Sequence, residues 1–484
     1  MPFNRRNFFQ GLMASAGFAT AGKGLGQHVH AADPEAPGKP GQTRGRLWQL
    51  RGGIAPVELP DVGKLPWSME DGVKTFRLVA EPVRTEFVPS SEMGPARVCE
   101  AWGFNGSVPG PTIEVNQGDR VRIVVENRLP EIFAPHWHGL EVPVGMDGVP
   151  GVTQDPILPG GKFVYEFTLH QHGTFFYHSH MPMQQMMGMI GMFIIHPREP
   201  YTPRVDKDFG LIVQEWALLP NNTIPNSLSM EFNWLTINGK AGPATTPMLV
   251  RLGERVRIRF VNLGMDHHPM HLHGNTFYVT GTEGGRVPKA AWTPGNTVLV
   301  GVAQARDVEF DAIYPGDWML HCHLPHHNMN QMVSMVGPMA HLGMGIHTGL
   351  SMEDGMGMIR ESGALSEKLG PSLGRTIGTG ADYEKPMTNL GLTPGQAAMQ
   401  HQGMQHEGMQ MGAPIAADAY SVPGFPQDMW MVDDAAYVKP ETYGLRPTWT
   451  GGMMGMMTLV RVLEPALYDH IQKLKTEAAR RARS

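Results

Sequence analysis

Alternation of apolar and polar positions dominates the chain from about residue 70 onward. Val121-Arg122-Ile123-Val124-Val125 and Arg257-Ile258-Arg259-Phe260-Val261 are examples. A period of two is that of a strand with one face buried. Gly and Pro turn signals separate such runs, so the predicted elements are short strands of antiparallel sandwiches. Met456-Met457-Thr458-Leu459-Val460-Arg461-Val462-Leu463 reads as one more strand. Residues 464–484 read as a solvated terminal helix with a basic end, Arg480-Arg481-Ala482-Arg483.

The strand pattern occurs twice. Gly118-Asp119-Arg120-Val121-Arg122-Ile123 matches Gly253-Glu254-Arg255-Val256-Arg257-Ile258, and at the same offset His136 and His138 fall on His271 and His273. Further on, Gly173 through His178-Ser179-His180 matches Gly316 through His321-Cys322-His323. An internal repeat decides the architecture: all-β, with one sandwich over 48–200 and a second over 205–340, completed by 446–465. The intervening 341–445 is a Met/Gly/His-rich insertion, expected to be partly disordered and far longer than an ordinary loop. A short C-terminal helix follows over 466–484.

Composition narrows the chemistry. Nothing in a net charge of −6 across 484 residues suggests a nucleic-acid surface. There are 35 Met and 22 His against only 2 Cys, so the metal-binding residues are far in excess of any disulfide framework. Cys99 lies alone in a strand-like run and reads as a small buried apolar side chain. The other cysteine sits in His321-Cys322-His323-Leu324-Pro325-His326-His327, with Met332 five positions on. On a strand His321 and His323 share one face and Cys322 points to the other. A thiolate, an imidazole and a thioether so close together suit a copper that passes single electrons. The flanking imidazoles then serve a second metal site one residue of backbone away. His-x-His recurs at matching places in both copies, at 136/138, 178/180, 271/273 and 321/323. Eight imidazoles suit a borderline cation such as copper, with hydrogen bonds on the other ring nitrogens setting their tautomers. The copies differ elsewhere: Cys322 aligns with Ser179, His327 with Gln184 and His268 with Phe133. One electron-transfer site per chain, in the second copy, is expected from His268, Cys322, His327 and Met332. A closed structural zinc site does not use such a set.

His136-Trp137-His138-Gly139, His268-Pro269-Met270-His271-Leu272-His273-Gly274 and the Cys322 segment resemble the laccase-type multicopper oxidases over about residues 70–335 plus the closing strand. The resemblance implies cupredoxin-like Greek-key sandwiches and four copper ions per chain. By its pattern, His268, Cys322 and His327 hold a type 1 copper with Met332 axial. His136 and His271 hold a type 2 copper. His138, His178, His180, His273, His321 and His323 hold a type 3 pair. Asp147 matches an acidic residue used there in proton delivery. The implied activity is one-electron oxidation of a small reducing substrate coupled to reduction of O2 to water. Asn328 stands where many relatives have a carboxylate, which weakens a proton route at that point. The alternative axial donor is a methionine of the late run Gly451–Met457, since in most relatives the closing strand follows that ligand at once. The short span from His180 to His268 resembles two-domain laccases, which implies a homotrimer with trinuclear clusters between subunits.

Asn4-Arg5-Arg6-Asn7-Phe8-Phe9, an apolar small-residue stretch from Gly11 and Val29-His30-Ala31 together resemble a twin-arginine export signal over 1–31, which implies a periplasmic or exported protein. No later segment is apolar for long enough to span a membrane. Methionines cluster at 181–192, where core packing is the expected role, and through 329–358 and 399–411. Thioethers select Cu(I), so phenols or aryl amines and Cu(I) are both candidate donors. Copper sequestration, with oxidase turnover incidental, is the alternative function. A copper nitrite reductase would need the electron-transfer set in the first copy, where Ser179 and Gln184 stand instead.

Overall fold

The computed structural model describes residues 53–91, 94–218, 222–230, 232–329 and 432–482. The export-signal segment, Met332 and residues 399–411 lie outside these. Four sheets make two sandwiches. In the first copy, the five-stranded sheet containing Val73–Val88, Arg120–Asn127 and Lys162–Thr168 faces a four-stranded sheet ordered Gly110–Asn116, Ile190–His196, Gly173–Ser179, Pro135–His138. Val121, Ile123 and Val125 of one sheet and Trp137, Phe175, Tyr177 and Phe193 of the other are buried together. Arg120 and Arg122, the intervening positions, pair with Glu166 on the outer face. The alternation read from the sequence is thus the inside–outside alternation of a sandwich.

The second copy repeats the arrangement. Lys207–Trp216, Arg255–Asn262 and Gln304–Asp311 lie in an eight-stranded sheet. It faces a sheet ordered Met248–Arg251, Met457–Leu463, Gly316–Cys322, His268–Leu272, Thr297–Val300. Each copy has a parallel pair at the same place: Gly110–Asn116 with Ile190–His196, and Met248–Arg251 with Met457–Leu463. The strand after the long interruption therefore occupies the position that Ile190–His196 fills in the first copy.

Stacked in order, the four sheets form layers. Phe176, Ile190, Met192 and Ile194 on the outer face of the first copy's four-stranded sheet pack against Val57, Ile212, Val261 and Ala305 of the eight-stranded sheet. The second copy's other sheet lies beyond that one, on the side away from the first copy. A buried ionic cluster crosses the junction. Arg259 binds Asp208 through Nε and Nη2 at 2.8 and 2.9 Å, and its Nη1 donates to Thr174 Oγ1 of the first copy at 2.6 Å. Thr174 in turn donates to Asp307.

Two boundaries differ from the sequence pattern. Val57–Glu58, within the span read as the first sandwich, pairs with Lys207–Trp216 of the second. Described structure also covers 432–445, inside the stretch read as insertion. Its 3-10 turns, Asp434–Tyr437 and Pro440–Thr442, carry no two-residue period. The second is held by the buried guanidinium of Arg461, which donates to the Glu441 and Tyr443 carbonyls at 2.6 and 2.9 Å. The C-terminal helix runs Pro465–Arg481. No helix among the described residues is long and apolar enough to cross a membrane.

Candidate metal centres

Three groups of donors that the repeat pattern marks converge, on strands, strand ends and, for His327, a 3-10 turn. His268, Cys322 and His327 form the first. Cys322 is the last residue of Gly316–Cys322, and its side chain turns into the second core beside Met270 and Leu320. His268 opens the neighbouring strand, while His327 comes from the 3-10 turn Pro325–Asn328. Cys322 Sγ stands 3.7 Å from His268 Nδ1 and 3.4 Å from His327 Nδ1, and the two ring nitrogens are 3.2 Å apart. All three are buried. His268 Nε2 faces Glu215 Oε2 at 3.1 Å, so that nitrogen carries the proton and Nδ1 presents its lone pair to the group.

Burial pushes the Cys322 thiol up to about 12 and the His327 imidazole down to about 3. Three lone-pair donors with no cation among them are costly to bury together. A soft cation would turn that cost into binding, because it takes the thiolate and both neutral imidazoles. The donor set therefore fits copper.

The eight His-x-His imidazoles form two half-sites. His136, His138 and His178 offer ring nitrogens to one point, with the His180 ring centroid 5.4 Å from that of His136. His271, His273 and His321 form the counterpart, with His323 5.3 Å from His271. Carbonyl acceptors fix the rings: His136 Nδ1 donates to Asp147 O at 2.8 Å, His178 Nδ1 to Ser179 O at 2.7 Å, His271 Nδ1 to Asn296 O at 2.8 Å and His321 Nδ1 to Cys322 O at 2.7 Å. Each then turns its Nε2 lone pair toward the half-site. Burial and the neighbouring imidazoles lower the basicity of His138 and His178, to about 4 and about 3. Neutral, metal-ready imidazoles follow at physiological pH.

The layers keep the half-sites apart within one chain. His178 shares a strand face with Phe176, which packs in the junction between the copies, and His138 stacks on Phe176 with centroids 4.2 Å apart. His321 points opposite to Leu320 and Cys322, hence away from the second core on its far sheet. Both sheets of the second sandwich intervene, and packed sheets are about 10 Å apart. Among the described residues no ring contact joins the two sets.

Asp147 lies beside the first half-site, its Oδ1 3.5 Å from His136 Nδ1. Gly148, at φ +86, makes that approach possible, since a Cβ there would fall 1.7 Å from Pro135 O. The first copy's counterpart of the thiolate group holds no ligands. Phe133 is core, Ser179 Oγ donates to Gln184 Oε1 at 2.7 Å, and Gln184 Nε2 donates to Ile132 O at 2.9 Å. Cys99 is a free, buried core residue. The 181–192 methionines divide: Met189 and Met192 are buried, whereas Met183 is 43% exposed.

Sequence reasoning missed three acidic and imidazole groups around the thiolate site. Glu215 is buried and accepts from the backbone N–H groups of Met265 and Asp266 as well as facing His268. Asp266 and His326 form a further donor group with His327 at the exposed edge, Asp266 Oδ2 standing 3.5 Å from His327 Nε2. A signal for Glu215 was present: an acid inside the apolar run Leu211-Ile212-Val213-Gln214-Glu215-Trp216.

Comparison with known proteins bears on these groups. Two multicopper oxidase family profiles match, over residues 90–200 and 219–337. The chain is 41% identical over 117 residues to the copper resistance protein A homolog of Pseudomonas syringae pv. tomato, covering 24% of this chain and 20% of that protein. It is 34% identical over 235 residues to laccase-2 of Botryotinia fuckeliana, covering 44% and 40%. It is also similar to the blue copper oxidase from Nitrosomonas europaea, at 32% identity over 52% of this chain and 80% of that one, with a TM-score of 0.47. The chain spans less than half the length of both curated relatives.

Proposed function

This chain belongs to the multicopper oxidase family, and from that premise we propose that it oxidises a small reducing substrate one electron at a time and reduces O2 to water. The observation that carries the proposal is the buried His268–Cys322–His327 group, whose Cys322 lies between His321, on the same strand, and His323. Bound there and at the half-sites, four coppers per chain supply the one-electron chemistry and the centre where O2 is reduced. His268, Cys322 and His327 hold the type 1 ion. His136 and His271 hold the type 2 ion, and His138, His178, His180, His273, His321 and His323 the type 3 pair. Asp147, next to His136, is placed to relay protons at the half-site's edge.

Because two sheets stand between the half-sites of one chain, a complete trinuclear set draws on two copies. The layer order supports a head-to-tail contact that closes into a ring, with a homotrimer as the assembly. For the donor, Asp266 and His326 at the open edge beside His327 favour a metal ion such as Cu(I) over an uncharged phenol. The relatives named for copper resistance point the same way, and the paired arginines near the N-terminus support export to the periplasm.

The test is oxygen uptake by copper-loaded protein given Cu(I) or a dimethoxyphenol, with its mass measured in solution. Uptake with Cu(I) by a trimer is expected. Copper bound without uptake from either donor would leave sequestration as the function, and an active monomer would overturn the shared cluster.

A further inference from the structure

The closing strand Met457–Leu463 pairs antiparallel with Gly316–Cys322, with Met457 opposite His321. Continuing that register by one residue sets Met456 opposite Cys322. Residues directly opposite on antiparallel strands send their side chains to the same face, with Cβ atoms about 5 Å apart. The packing agrees: Met456 is fully buried in the core cluster that contains Cys322 and Met270, whereas Met457 belongs to a separate cluster with Met453 and Leu459.

The backbone of Met456 ties together two of the three donors. Cys322 N–H donates to Met456 O at 3.1 Å, and Met456 N–H donates to His327 O at 2.9 Å. Gly455, at φ +62, lets the chain pass this close, because a Cβ there would lie 2.2 Å from His327 O. A flexible, polarizable thioether is therefore held beside the thiolate group by the strand that completes the sandwich.

We propose that Met456 supplies the axial thioether of the type 1 copper, in place of Met332, so that the long segment after Met329 interrupts the ligand set and the fourth donor arrives from beyond it. The inference rests on the type 1 reading of His268, Cys322 and His327. A weak, long axial thioether tunes the potential of such a site. The closing strand thereby couples folding of the region after residue 432 to the properties of the metal.

The experiment uses the full copper-loaded chain and compares Met456→Leu, Met456→Gln and Met332→Leu by blue absorption, electron paramagnetic resonance and redox titration. Met-to-Leu swaps are usually tolerated in cores, so Met456→Leu is expected to fold. It should shift the Cu(II)/Cu(I) ratio at fixed ambient potential at least tenfold toward Cu(I), ~59 mV for one electron. Met456→Gln, which returns an oxygen donor of similar reach, should shift it the other way and alter the resonance spectrum. Met332→Leu should stay within about twofold of the parent, well short of the tenfold shift that corresponds to ~59 mV. A shift produced by Met332→Leu, or none from either Met456 variant, would overturn the assignment. Absence of the blue band from the copper-loaded parent, or its survival in Cys322→Ser, would instead overturn the type 1 reading itself.

Discussion

Arg259 is the residue whose loss should most damage the junction between the two copies. It is 1% exposed and binds Asp208 through two nitrogens at 2.8 and 2.9 Å. A third nitrogen reaches Thr174 at 2.6 Å and Asp307 at 3.4 Å. Arg259→Met fits the space but strands these partners in a dry layer, leaving Asp208 with Arg257 alone. Removing one member of a buried ion pair costs about 3–5 kcal/mol, mostly as the uncompensated charge left behind. Arg77→Ala is the control: Arg77 pairs with Glu126 at 2.8 Å but is 61% exposed, and such pairs contribute less than about 1 kcal/mol. Urea unfolding of metal-free protein, followed by tryptophan fluorescence, should show the Arg259 variant losing several times what the Arg77 variant loses. A fall in Tm on the order of 10 °C should accompany it. Thr174 and His178 share a strand, so copper uptake at the first half-site should weaken too. Equal losses from the two variants would refute the reasoning, since they would mean that the layer admits water or that the cluster closes without Arg259.

Three further outcomes are expected. Metal-free protein should be most stable above about pH 6.5 and weaken as pH falls toward 3. The fold holds His178 and His327 neutral, with both pushed down to about 3, whereas the unfolded chain binds protons near 6.5, a difference of about 2 kcal/mol per residue at pH 5. Equal urea midpoints at pH 5 and pH 8 would contradict this. Gly148→Ala, with its Cβ 1.7 Å from Pro135 O, should push the Asp147 carbonyl off His136 and weaken copper binding there about 10- to 100-fold by titration, while a loss under about threefold would rule the contact out as a positioning device. Glu215→Gln removes the charge facing His268 Nε2 and should raise the potential of the thiolate-bound copper, read by redox titration; an unchanged potential would refute the role.

The converging His and Cys side chains were legible because their signal is local. His-x-His on a strand puts both rings on one face whatever the rest of the chain does, and the repeat showed which positions matched. Acceptors that orient the rings were not legible, because they are backbone carbonyls of Asp147, Ser179, Asn296 and Cys322, which any residue supplies. Glu215 and Asp266 were missed for a different reason. Their role depends on the turn Gly264-Met265-Asp266 folding back onto the strand Lys207–Trp216, where a Cβ at Gly264 would lie 2.0 Å from the Glu215 carboxylate. The structured turns over 434–442 were hidden because they lack a period and the second is held by Arg461, a charge buried inside an apolar strand.

The asymmetry between the copies also has a physical explanation. Phe133, Ser179 and Gln184 do more than omit ligands; they fill the position. Phe133 buries its ring in the first core with centroid contact to Phe104 at 5.9 Å, where His268 in the second copy is held by an acid. Gln184 spends its amide on Ser179 Oγ, Ile132 O and Glu131 Oε2. A single Ser179→Cys change would therefore leave a weak thiol donor facing the Gln184 carbonyl beside an apolar ring, with no second nitrogen to share a cation. A blue site in the first copy requires Phe133→His, Ser179→Cys and Gln184→His together. It also requires an acceptor for the outer nitrogen of the new histidine at 133, because a buried imidazole without one loses the tautomer that points its lone pair at the metal. The absence of a cysteine-centred donor group from the first copy is thus encoded in a satisfied hydrogen-bond network as much as in a missing cysteine.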